Sequence, residues 1–210
     1  MSQTFGKTRW KRFALVMVPS IAATAAIGVG LANNALAASF SISGQKFKVQ
    51  ADDLQGDNFA QYGDVLHHTN AQDQNPKAHE AVAVSTFSHA TIKHLCQSVS
   101  TDLPFGLGKW TLQLHAGGDN KDQWVQADNL VIGLNSLEAD AQFDNINIGQ
   151  DASTLPSPAK GMPGLFGQAA THAHLTNVKQ TAWSTSASSF SLNGLKLGLA
   201  QGDGPSVECF

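Results

Sequence analysis

The sequence predicts an all-β fold, either a sandwich or a curled, solenoid-like sheet, and three observations carry that prediction. Apolar residues alternate at a period of two along most of the body, turn residues fall between the runs, and one six-residue string is written twice. Residues two apart on a strand share a face, so alternation gives each run one apolar side for a core. No stretch beyond the N-terminal segment carries the 3.6-residue period of an amphipathic helix.

The strands are expected in order at residues 40–42, 47–49, 81–87, 110–114, 130–134, 139–143, 172–178 and 189–199. The alternation is cleanest in Trp110-Thr-Leu112-Gln-Leu114 and in Leu130-Val-Ile132-Gly-Leu134. Gly117-Gly118-Asp119-Asn120 and Asn193-Gly194 supply turns between or within them. The string VQADDL at 49–54 returns as VQADNL at 125–130, and we read the pair as an internal duplication. A second echo joins 143–149 to 192–198, where apolar parity switches across Asp144-Asn145 and Asn193-Gly194. Because the strand period is two, each switch needs a bulge or tight turn if both halves are to face the core. The echoes lie 76 and 49 residues apart, too unequal for a regular solenoid, which favours a sandwich or curled sheet.

The N-terminus gives the compartment. Lys7, Arg9, Lys11 and Arg12 precede an apolar run over 13–32, and Ala35-Leu36-Ala37 offers small residues for a signal peptidase. The expectation is a signal peptide over 1–37, cleavage before Ala38 and a single β domain over 38–210. An uncleaved anchor over 13–32 is the alternative. Cleavage removes four basic charges, leaving nine Lys, no Arg and sixteen acidic residues, a net charge of −7. Clustered Lys and Arg are what neutralise phosphates, so nucleic acid is excluded as a partner.

The segment 156–167 combines three prolines with three glycines, so no regular element is expected there. It nevertheless carries Met162, Leu165 and Phe166, which are read as an apolar lid or contact, with folding back onto the core as the plainer alternative. Catalytic chemistry is hard to place. There is no Gly-x-Ser-x-Gly nucleophile elbow, and the paired acids Asp52-Asp53 and Asp119 with Asp122 read as turn residues. His172 and His174 share a strand face, but two ligands do not make a closed metal site, and His67-His68 reads as a solvated loop. No catalytic residue, metal or cofactor is assigned.

Two cysteines remain in the mature chain, Cys96 and Cys209, and an exported chain meets an oxidising environment. A bond between them would pin the penultimate residue against a central strand. Free buried thiols and intermolecular bridges are the competing arrangements.

The residues 6–13 (Gly-Lys-Thr-Arg-Trp-Lys-Arg-Phe), Leu95-Cys-Gln-Ser-Val99, 147–153 (Asn-Ile-Gly-Gln-Asp-Ala-Ser) and the terminal Glu208-Cys209-Phe210 resemble an actinobacterial exported family. It is catalogued as a domain of unknown function, and its members often carry the label "cholesterol esterase" in genomes. The resemblance implies export and supplies no catalytic residues. Three functions are weighed. The first is a non-enzymatic, cell-envelope protein binding a lipid, another apolar ligand or a membrane surface. The second is a structural or assembly protein of the cell surface, acting as a homo-oligomer or with an envelope partner. The third is an atypical esterase.

Overall fold

The structure is a computed structural model, and it describes residues 45–68, 78–156, 158 and 160–210. The expected signal segment over 1–37, its cleavage site, the alternative anchor and the expected strand at 40–42 lie outside the described residues. Among the described residues there are nine strands and no α-helix: β1 (Phe47–His68), β2 (Ala78–Lys93), β3 (Leu95–Leu103), β4 (Gly108–Ala116), β5 (Val125–Asp144), β6 (Asn147–Asp151), β7 (Phe166–Ser186), β8 (Ser189–Ser191) and β9 (Lys196–Gln201). The all-β expectation holds, in its curled-sheet form.

The four long strands close on themselves. β1 pairs with β2, β2 with β5, β5 with β7 and β7 again with β1, every pair antiparallel. Closure removes the free edges that a four-stranded sheet would otherwise present. From this ring β3, β4 and β9 extend as a wing beside β1, and β6 lies outside β7.

The duplicated string marks a duplicated pairing. β1 pairs with β2 and then, beyond His94, with β3 in an unchanged register. β5 pairs with β7 and then, beyond 187–188, with β8, again in the same register. Residues 49–54 and 125–130 each sit at that junction. Val49, Ala51 and Leu54 are buried, as are Val125, Ala127 and Leu130.

Burial in both strings moves from odd to even positions partway along. In β5 the switch falls at Asn129 (φ 50°), and in β7 a matching switch falls at Asn177 (φ 54°), after which Val178 and Ala182 point inward. Asn adopts the left-handed region more readily than most residues, so one residue flips the pleat while the strand runs on. Asn58 (φ 51°) does the same in β1, where the ladder to β2 passes from Asp57↔His89 to Ala60↔Thr86. These flips let short-range period-two strands bend tightly enough to close a ring of four.

The ring interior is filled by side chains. Phe59 stacks 5.4 Å from Phe87 and 5.0 Å from Phe143. Gly56 is required where it stands, because a Cβ there would lie 2.3 Å from Phe87 Cδ1. Two gaps remain along the core, one of about 30 Å³ beside Leu54, Ile92 and Leu130 and one of about 10 Å³ beside Phe59, Phe87 and Leu175. Each has room for about one or two water molecules, and for nothing larger. A second cluster, Tyr62, Val82, Val84, Leu155 and Trp183 among it, packs elsewhere on the same strands under the turn at Ala152–Thr154.

Four expectations are corrected. His67 and His68 belong to β1, paired with His79 and Ala78, so this is strand and not loop. The run 189–199 is two strands, β8 and β9, separated by a turn. Phe166 and Gly167 of the expected irregular segment begin β7. The second echo is not a structural repeat, since β6 pairs with β7 whereas β9 pairs with β4. Tight turns do occur at Asn145 (φ 52°) and Gly194 (φ 69°), yet Ile148, Leu197 and Leu199 beyond them face outward.

Candidate functional site

The wing of β3, β4 and β9 buries the opposite face from the one its composition suggests. Along β4, Leu112 stands between Val99 of β3 and Leu199 of β9, while Leu114 stands between Gln97 and Leu197. These rows, with Trp110 and Leu195, form one apolar face. Leu195, Leu197 and Leu199 are 50%, 64% and 68% exposed, and Leu112 is exposed as well. Single exposed leucines are ordinary, but a contiguous row of them marks a contact surface.

The other face is polar and covered. Cys96, Ser98, Ser100, Thr111 and Gln113 lie under the C-terminal segment 202–210. Thr111 Oγ1 donates to Gly202 O (2.7 Å), Gln113 Nε2 donates to Val207 O, and the Cys209 amide donates to Ser98 Oγ (3.1 Å). Glu208 is the anchor. Its carboxylate accepts from Lys48 Nζ (2.9 Å), Ser100 Oγ (3.0 Å) and the Gly204 amide (2.9 Å). Burial pushes the Glu208 carboxyl up, but those donors and the Lys48 charge outweigh it and hold the group below its ordinary value. Cys96 and Cys209 are joined by a disulfide, closing a separation of 113 residues. Such a bond belongs to an oxidising, exported environment.

At the end of the wing the β3–β4 hairpin turns through Leu103-Pro-Phe105-Gly-Leu107-Gly108. Phe105 is 97% exposed and sits at φ 64°, with Gly106 and Gly108 also at positive φ. For a bulky residue that backbone region is an outlier costing on the order of 1–2 kcal/mol. Leu103 and Leu107 beside it are exposed too. Charges begin only at the base, with Asp102 opposite Lys109 and a Lys109–Asp203 ion pair of 2.7 Å. Trp110 follows, its indole Nε1 donating to Leu107 O (3.0 Å). The sequence reading passed over this tip, although its mixture of Pro, Gly and large apolar residues is the one that drew attention to 156–167.

A family model described as a family of unknown function, DUF6230, matches residues 43–210. The chain belongs to that family. No curated protein and no solved structure matches it.

The remaining candidates in this DUF6230 chain are dispersed. Met162 and Phe166 are exposed, Leu165 less so, and none of the three lines the four described clefts. The fold beneath them is already filled: a Cβ at Gly161 would lie 2.6 Å from Ala152 Cβ and 2.8 Å from Tyr62. Burial, helped by Asp64, pushes the Tyr62 phenol up to about 12, so it stays neutral. Asp151 at the start of this loop accepts from the Ser153 hydroxyl and amide and the Gly164 amide, which hold its carboxyl below the ordinary value.

His172 and His174 do not converge. Each ring meets its own carboxylate on β1, His172 with Asp57 at 2.9 Å and His174 with Asp53 at 2.8 Å. The repeated strings behave alike: Asp52 meets His94 at 2.7 Å, and its counterpart Asp128 meets His89 at 2.8 Å. These are cross-strand pairs on a wet surface, each contributing roughly 0.2–1 kcal/mol. Among the described residues, no three His, Cys, Asp or Glu side chains are placed to hold a metal ion. The largest described cleft, about 470 Å³, is open and of mixed polarity, bordered by His94, Leu95, His115, Ala116, Gln123 and Lys196.

Proposed function

We propose that the chain is an exported, non-enzymatic protein that seats reversibly on a lipid surface of the cell envelope through the 103–108 tip and the adjoining apolar face. The observation that carries this reading is Phe105, fully exposed on a strained backbone between two exposed leucines. A filled ring interior supports it from the other side. Sites for small molecules are usually about 300–1,000 Å³, far larger than the interior gaps, so an apolar partner is met at the surface.

Several features favour lipid over a protein partner. The tip has no charge between Asp102 and Lys109, and the first aromatic behind it is Trp110, an arrangement that places apolar groups deepest with charge and indole at the headgroup level. Full burial of a Leu or Phe is worth about 1.5–3 kcal/mol, and the exposed parts of Leu103, Phe105 and Leu107 amount to about two such side chains. That is roughly 3–6 kcal/mol, enough for reversible contact in the range of about 10 mM to tens of micromolar and not for stable anchoring.

Flotation with neutral phosphatidylcholine vesicles tests the reading. The native protein should partition to the vesicles, indifferent to salt because the tip is uncharged. Phe105→Ser with Leu107→Ser should lower the partition at least tenfold with an unchanged melting temperature. Equal partition of native and variant proteins would refute the reading. A second reading, assembly at the cell surface, is favoured by the open edge of β9.

A further inference from the structure

We infer that two copies of this chain pair through β9, edge to edge and antiparallel, about a two-fold axis centred on Gly198. The inference deepens the assembly reading; it rests on the β9 edge, shares Leu197 and Leu199 with the apolar face, and does not depend on the lipid reading. β9 is the end of the sheet path, hydrogen-bonded to β4 alone among the described strands. Edge strands are normally blunted by proline, a bulge or an inward charge. Within Lys196–Gln201 there is no proline, the ladder to β4 runs without a register shift, and the single charge stands at the first position.

The strand complements itself. With Gly198 on the axis, Leu197 lies opposite Leu199 of the second copy, and Leu199 opposite its Leu197. β4 and β9 already pair Leu112 with Leu199 and Leu114 with Leu197. The rows therefore continue across the junction as Leu112, Leu199, then Leu197 and Leu114 of the second copy, all on one face. Cross-strand apolar pairs of this kind are the unit of sheet stabilisation. Charge agrees with the register, since Lys196 meets Ala200 of the second copy and not its own counterpart. Gly198 leaves the axis open: a Cβ built there has nothing within 4 Å. Two-fold, isologous contacts are the commonest way soluble chains associate. A six-residue edge is small beside the area of a permanent interface, so the dimer is a weak, concentration-dependent one.

Cysteine scanning without lipid tests this. Opposed residues of an antiparallel pair have Cα atoms about 4.5–5.5 Å apart, within the span a disulfide bridges. Gly198→Cys should therefore give an intermolecular disulfide dimer under air oxidation, and Ala200→Cys, which would face Lys196, should give at least tenfold less. The native chain should show concentration-dependent sedimentation that Leu197→Lys with Leu199→Lys abolishes. Equal cross-linking of the two cysteine variants, or none from either, overturns the inference. So does a native protein that sediments as a monomer up to millimolar concentration. Because vesicle flotation reads Phe105 and Leu107, either proposal can fail while the other stands.

Discussion

Removing the disulfide by Cys96→Ala with Cys209→Ala is the perturbation whose size follows most directly from the structure. The bond spans a separation of 113 residues and ties the C-terminal segment to β3, an inner strand of the sheet path. In the chain-entropy model, closing a loop of that length removes about 4.8 kcal/mol of unfolded-state entropy, an upper figure for the stabilisation. For a domain of 150–250 residues each kcal/mol moves Tm by about 2–4 °C, so the double variant should melt roughly 10–20 °C lower in far-UV circular dichroism. The noncovalent contacts of the tail offset part of this only while it stays docked. Once untied, residues 202–210 are held by Glu208, Gln113 and Ser98, hydrogen bonds of about 0.5–1.5 kcal/mol each, more for the charged one. Carboxypeptidase should therefore trim the variant and spare the native chain. A melting temperature within 2 °C of native, with a tail still resistant, would refute the reasoning.

Two further outcomes are expected. Gly56→Ala should lower the urea midpoint by an amount equivalent to about 1–3 kcal/mol, because its Cβ would overlap the Phe87 ring, whereas Gly63→Ala, with open space around it, should be close to neutral; equal effects would contradict the packing described. Glu208 has a folded pKa below its ordinary 4.5, so its contribution is present above that value and is lost as pH falls through the folded pKa. Native protein should thus melt higher than Glu208→Gln at pH 6, the gap should shrink as pH is lowered below 4.5, and a gap independent of pH would show that the carboxylate is not what Lys48 and Gly204 hold.

How far the fold was legible follows from the strand period. Alternation located Trp110–Leu114 in β4 and Leu130–Leu134 in β5 correctly, because a period of two marks a strand with two unlike faces, whichever of them is buried. It underestimated length. β1 and β7 run for 22 and 21 residues, and alternation is lost inside them at Asn58 and Asn177. A lone Asn ordinarily signals a turn, so each flip looks like an end. The repeated string was readable as duplication, but ring closure was not, since it depends on β7 returning to β1 across more than a hundred residues. The cysteine pair was legible because an even count of two, in a chain expected to be exported, leaves few arrangements.

The wing shows why the candidate site was harder to see than the fold. Alternation in Trp110-Thr-Leu-Gln-Leu114 establishes that β4 has one apolar and one polar face; it does not establish which one water meets. The usual inference sends leucine inward, and here Thr111 and Ser98 are the fully buried residues. Two things decide the matter, and neither is local to β4. The disulfide carries Cys209 across the polar face, and Glu208 arrives with it to bind Lys48 and Ser100. Each polar group so buried finds a partner, which removes the penalty that would otherwise turn that face back to water. The leucines are then left outside by default, next to a tip whose apolar residues are also outside. An arrangement that leaves apolar area exposed persists when something else covers it, and this is the physical reason to look for a lipid surface and a second copy there.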